Sequence, residues 1–210
     1  MLSKDISGEI DESVLMRNEN ITYSRPYNKV PVVVRVKNPG MVYHYHTRIT
    51  GSGYLKGATA RVWRIGETLK NASPFIWGKY LDVKSEQNKD LPVIEMDLVH
   101  IAGQGVHDMS GVGVFSSNSL ISNDLTLTLV CRFYNAAGRL VSEFSSTRKY
   151  SETTGDANDR SVYVNPGTLL EDAFNDILAE FFGDKSVEVV FKGMDVFRPD
   201  VEGWLPGRDR

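Results

Sequence analysis

One cysteine, Cys131, in 210 residues excludes an internal disulfide and any zinc site built on thiolates. Nor is there an excess of one charge: 24 Lys and Arg face 27 Asp and Glu, a net −3. That balance offers no electrostatic footprint for nucleic-acid phosphates or an anionic membrane. No apolar run approaches the roughly 20 residues that a membrane-spanning helix needs. No segment repeats, and none is of low complexity. What is present is a 41% hydrophobic fraction with 10% aromatics, enough to fill one core at this length. Wholly disordered, disulfide-framework and collagen-like chains are thereby excluded.

Patterning divides the chain into an N-terminal arm (1–29), a single α+β domain (30–192) and an extended C-terminal tail (193–210). Met1 to Arg17 mixes acids with apolar residues and lacks the apolar core of a signal peptide. A β-branched run, Val30 to Lys37, ends at Asn38-Pro39-Gly40 and predicts the first strand of the domain. Further strands are expected at Met41–Thr50, Thr59–Ile65, Lys79–Lys84 and Leu91–Ala102. Leu125 to Tyr134 is the cleanest: Leu125, Leu127, Leu129, Cys131 and Phe133 alternate with polar or β-branched residues. Asn135-Ala136-Ala137-Gly138 predicts a hairpin turn that returns the chain as Arg139–Tyr150. Gly103–Ser119 and Glu152–Arg160 read as flexible loops, and Val187–Phe191 as a short last strand.

Two helices are expected. Around Thr68 to Tyr80 the apolar spacing is helical, but Pro74 suggests two short pieces, the second capped by Ser73. The stronger helix spans Leu169 to Phe182, with Thr168-x-x-Glu171 as a capping box and Gly183 as a left-handed C-terminal cap. Its apolar stripe is wide enough that it must be packed. The fold class that follows is α+β: one mainly antiparallel, twisted sheet with the C-terminal amphipathic helix and the shorter second helix on one face.

Candidate chemistry is sparse. His44 and His46 lie two apart and share a strand face, as two metal ligands do; His107 or Asp108 would complete such a site. Glu95 and Asp97 share a face too, a spacing that suits a general acid/base pair or the wet side of a sheet. Gly51-x-Gly53-x-x-x-Gly57 has one residue too many for a dinucleotide fingerprint and lacks Lys-Ser/Thr, so it reads as a turn. Cys131, on an apolar strand face, reads as a buried thiol. Candidate partner contacts are Tyr43, Tyr45, Trp204 in the tail, and Val106 and Met109 in the glycine-rich segment. A pocket for a small apolar ligand would be lined by Trp77, Phe174 and Phe181.

The order of elements adds a resemblance. A Val-rich early strand (Val32, Val33, Val34, Val36) precedes a short helix around Thr68–Tyr80. The paired strands Leu125–Cys131 and Leu140–Phe144 follow, then the helix Leu169–Phe182. Over roughly residues 30–185 this resembles the soluble domain of small bacterial envelope lipoproteins, such as the transport-auxiliary and curli-assembly-related groups. The resemblance implies an α+β domain that binds partners and performs no chemistry. The signal peptide and lipid-accepting cysteine of such proteins have no counterpart in residues 1–210. It therefore implies a periplasmic or outer-membrane-associated place if a signal segment precedes the chain, and a cytoplasmic one otherwise.

The function expected from the sequence is thus a non-enzymatic binding or assembly protein of a bacterial envelope. It acts through protein–protein contacts, self-association among them, with no cofactor, nucleic acid or transmembrane segment. A metal-binding protein or metal-dependent enzyme using His44 and His46 is the alternative reading, and carriage of a small apolar ligand a further one.

Overall fold

The computed structural model describes residues 4–12, 14, 16, 30–50, 55–113, 116–155 and 164–194, with backbone alone at 4–12, 55–56, 109–113 and 116–119. The strands are β1 (Lys4–Glu12), β2 (Pro31–Val36), β3 (Tyr43–Thr50), β4 (Leu55–Trp63), β5 (Asp82–Lys84), β6 (Val93–Gly113), β7 (Ser116–Tyr134) and β8 (Leu140–Thr154). The helices are α1 (Ile65–Gly78), α2 (Pro166–Gly183) and α3 (Lys185–Lys192). All eight strands join one α+β sheet. It is antiparallel along β3–β4 and β6–β7–β8 and parallel where β1 meets β4, where β2 meets β5 and β6, and where β3 meets β6.

The 21-residue β6 organises the whole. One of its edges carries β7 along nearly its full length. The other carries β2 at Val93–Met96 and then, further along, β3 at Gln104–Asp108, both parallel to it. β2 and β3 therefore run end to end along one edge, interrupted at Asn38-Pro39-Gly40. The interruption faces a register shift in β6 between Leu98 and His100, where a bulge bends the strand.

Sheet and helices share one core. Leu127, Leu129, Cys131 and Phe133 of β7 are wholly buried, the alternation expected from the sequence. Burial pushes the Cys131 thiol well above its ordinary range, which leaves it protonated and inert. Phe181 of α2 is the hub of the helical layer. Its ring lies 4.8 Å from Trp77, 5.3 Å from Phe133 and 5.6 Å from Phe144, centroid to centroid and edge to face.

Several local expectations are corrected. α1 is one helix through Pro74, because Ile65, Leu69, Ala72, Ile76 and Trp77 bury a continuous stripe while Pro74 faces outward. Ser73 is a buried mid-helix residue, not a cap. α2 starts earlier than expected: the Asn165 side chain accepts from the Gly167 N–H, Pro166 takes the first turn, and Thr168 lies inside. Gly183 closes α2 without a left-handed turn, and the extended Asp184 follows it.

Val187–Phe191 is helical. The Asp184 carboxylate caps the Ser186 N–H, Glu188 pairs with Lys192 at 2.6 Å, and Val187 and Phe191 four apart reach the core. Short apolar runs are where strand and helix are hardest to tell apart. Lys4–Glu12, within the expected arm, forms β1 beside β4. The expected loop Gly103–Ser119 is mostly strand, extending β6 and β7. Gly138, at φ +75°, makes the predicted β7–β8 turn, with the Asn135 carbonyl accepting from its N–H at 2.8 Å.

Gly103 and Gly105 have a reason beyond looseness. Tyr45 on β3 reaches across β6 to donate to Asn123 Oδ1 on β7 at 3.0 Å, and Tyr43 donates to the Gly103 carbonyl at 3.0 Å. What the two glycines leave open is close approach by neighbouring strands: a Cβ at 105 would come within 2.7 Å of Thr47 Oγ1 and 2.8 Å of Asn123 Oδ1, the atom that accepts from Tyr45. A Cβ at 103 would come within 2.3 Å of the Asp124 carbonyl oxygen and 2.8 Å of Leu125 Cα, both backbone. Gly103→Ala is therefore expected to lower stability by about 1–3 kcal/mol, read as an earlier urea midpoint at unchanged slope.

Candidate interaction surface

Among the described residues the helices do not extend over the whole sheet. α1 lies on β2, β5 and β6, α2 on β7 and β8, and α3 on β8. Among the described residues no helix has more than marginal contact with β1, β3 or β4. The sheet thus has a helix-backed half and a half without a described helix against it, whose inner face is nevertheless buried at Tyr45 and Trp63, joined by the long strands β6, β7 and β8. In the half without a described helix the aromatic stack of Tyr43, Tyr45 and Trp63 fills the inner face: Tyr45 lies 5.0 Å and Tyr43 6.0 Å from the Trp63 ring. Burial pushes the Tyr45 phenol far above its ordinary range, so it serves as a neutral hydrogen-bond donor.

β8 is a 15-residue strand that, among the described residues, pairs with β7 alone. Its residues split cleanly by face. Ser142 donates to Asp184, Phe144 enters the core, and Ser146 and Arg148 both bind Asp176 of α2. Tyr150, bound to Glu152, has its phenol pushed up to about 12 by burial and by that carboxylate. The alternate residues Glu143, Ser145, Thr147, Lys149, Ser151 and Thr153 are all exposed. Hydroxyls tie this outer face together: Thr147 meets Thr128 at 2.8 Å and Thr153 meets Ser122 at 2.9 Å.

On the same outer face, charges alternate in a row across four strands. Arg35 of β2 stands opposite Glu95 of β6, Glu95 opposite Arg132 of β7, and Arg132 opposite Glu143 of β8. The successive N–O distances are 2.7, 3.6 and 2.6 Å. Arg132 also holds Asp97 at 3.0 Å, which Lys37 binds from the other side at 3.0 Å. Burial alone would raise the Asp97 pKa, but the hydrogen bonds and charges of Arg132 and Lys37 outweigh it and hold the carboxyl below its ordinary range. Glu95 and Asp97 are thus fully engaged by cations, an arrangement that fits a structural ion cluster better than proton transfer.

The residues singled out from sequence scatter over this frame. His44 and His46 do share an exposed face, their rings stacked 6.4 Å apart. His107 stands in register with Ile49, and Asp108 with Thr50, so the two point to opposite faces. His107 is held below its usual pKa by burial, partly offset by the Asp108 charge. Among the described residues no three His, Cys, Asp or Glu side chains converge as a metal site would require. Val106 is half-buried on β6. Trp77, Phe174 and Phe181 are completely buried between helix and sheet. Trp204 and the Met109 side chain lie outside the described residues. Tyr43 and Tyr45, expected as partner contacts, both stack on Trp63, Tyr43 half-buried and Tyr45 buried. The row ending at Glu143 was not visible beforehand; the Glu95/Asp97 spacing was its only sequence signal, since the other members become neighbours only through strand register.

No family model matches the chain, and no curated protein matches it. Solved structures do. A Xanthomonas campestris protein of the DUF330 family is similar at 12% identity and a TM-score of 0.42, covering 86% of this chain and 92% of its own. A Helicobacter pylori homologue of a neuraminyllactose-binding hemagglutinin, described as putative in its own name, is similar at 13% identity and a TM-score of 0.36, covering 80% and 90%. An uncharacterized lipoprotein B from Nitrosomonas europaea is similar at 13% identity and a TM-score of 0.36, covering 80% and 89%. The structural neighbours are thus a DUF330 protein, a hemagglutinin homologue and, with two more from Acinetobacter baumannii and Neisseria meningitidis, bacterial lipoproteins. No helix among the described residues is long and apolar enough to cross a membrane.

Proposed function

We propose that this chain is a non-enzymatic binding or assembly protein of a bacterial cell envelope, working through protein–protein contacts. The observation that carries the reading is the mismatch between sheet and helices. Among the described residues half of the sheet has no helical layer, and β8 has 15 residues paired on one side only, beside an exposed outer face. Such an edge is a ready template for another strand, with main-chain hydrogen bonds giving affinity and alternate side chains giving specificity. Trp204, in the 193–210 tail, is assigned a contact role in the same reading. Placement in the envelope rests on the lipoprotein-like order of elements described above.

The test is cell fractionation of the chain expressed from its native coding region, followed by chemical cross-linking in intact cells. The expected result is recovery with the envelope and one or a few discrete protein adducts. Recovery in the cytosol without adducts would contradict the proposal.

A further inference from the structure

The charge row on the outer face stops at the sheet edge with its alternation unfinished. From β2 to β8 it runs cation, anion, cation, anion, and its last member, Glu143, has a side chain 50% exposed. A strand added beside β8 would continue the pattern if it set a cation opposite Glu143. The outer face of β8 itself carries one cation, Lys149; apart from Glu143, its other members are Ser and Thr. Lys149 stands in register with Thr126 and has no ion-pair partner among the described residues.

These positions select one arrangement. Resting on the contact-protein reading above, we infer that the strand taken up by β8 is β8 of a second copy of this chain, antiparallel, with the two-fold axis at Ser146. In that register Glu143 of each copy faces Lys149 of the other, and Ser145 faces Thr147. Every charge on the outer face of both edges is then matched, and the row becomes cation–anion–cation–anion–cation. Displacing the register by two residues either way sets Glu143 against a hydroxyl residue and leaves Lys149 unmatched. On the helix side the axis passes the Ser146 hydroxyl, which donates to Asp176; Arg148 binds the same carboxylate. Each copy therefore brings a neutralised cluster to the axis. An isologous contact of this kind closes on itself as a dimer and does not propagate.

Sedimentation equilibrium of the full chain over a concentration series tests the inference. A monomer–dimer equilibrium that weakens with added salt is expected. Lys149→Glu puts like charges opposite each other at two symmetric places and is expected to weaken dimerisation roughly tenfold or more. The exchange Glu143→Lys with Lys149→Glu should restore it. Because that exchange also takes a carboxylate from Arg132, a second measurement fixes register independently. An equimolar mixture of Ser145→Cys and Thr147→Cys chains should oxidise to a disulfide-linked dimer faster than either chain alone, Cys131 being buried.

Monomer at every concentration, Lys149→Glu dimerising as the parent does, or no preference for the mixed pair would overturn the inference. A monomeric chain that still forms an adduct with a different protein through β8 in cells overturns self-pairing while leaving the contact-protein reading standing. A monomeric chain with no adduct overturns both.

Discussion

Phe181→Ala is expected to destabilise the protein by about 3–5 kcal/mol, seen as a large fall in urea midpoint. The ring is wholly buried and meets Trp77, Phe133, Phe144, Phe182 and Phe191. Those neighbours come from both long helices, from α3 and from two strands, so no single one of them can move in to fill the space. The upper part of that range is expected for this reason, since the cost grows with the cavity that remains. α3 should respond most visibly. Its eight residues cannot hold a helix alone, and one of its two buried anchors, Phe191, lies 6.0 Å from the lost ring. Faster amide exchange over Lys185–Lys192 than over β7 is the accompanying result.

Arg132→Met is expected to cost about 3 kcal/mol, the lower part of what is lost when one partner of a buried pair is removed. The methionine retains most of the aliphatic packing, so the loss is electrostatic. Asp97, with a side chain 3% exposed, keeps only Lys37 and Asn38, and Glu95 keeps Arg35. The pH dependence gives a second readout. Asp97 has a depressed pKa in the folded state, so its contribution is fully present above the unfolded value of about 4 and is lost as pH falls through the folded value. The parent should therefore lose stability below about pH 4 more steeply than Asp97→Asn. In Arg132→Met the cation that holds the carboxyl down is missing, and the acid transition should move to higher pH.

The sequence made some of this legible and withheld the rest for identifiable reasons. Strict alternation from Leu125 to Phe133 marked β7 and placed Cys131 in the core, because a strand buried on one face repeats every two residues. The stripe from Leu169 to Phe182 marked α2 in the same way, though not its cap, since Asn165-Pro166 and Thr168-x-x-Glu171 are competing start signals three residues apart. Pro74 misled because burial of Ile76 and Trp77 holds α1 through a residue that alone would break it. Gly103 and Gly105 misled more instructively. Glycine in a strand also marks close approach by a neighbour; here the β7 backbone at Asp124 and Leu125 crowds position 103, and Thr47 of β3 and Asn123 of β7 crowd position 105. The charge row was hidden for a related reason, because Arg35, Glu95, Arg132 and Glu143 are neighbours only once four strands are in register.

On the proposed reading, partners are met by the exposed outer face of the sheet and its β8 edge and not by the helical side. A photo-reactive residue placed singly along the full chain in native cells tests this most directly. Thr147 on β8 and His46 on β3 sample the sheet, while Lys70 and Phe75, exposed on α1, sample the helices. Adducts from Thr147 and His46, with none from Lys70 or Phe75, are the result expected. Adducts confined to the α1 positions, or none from any of the four, would contradict the account.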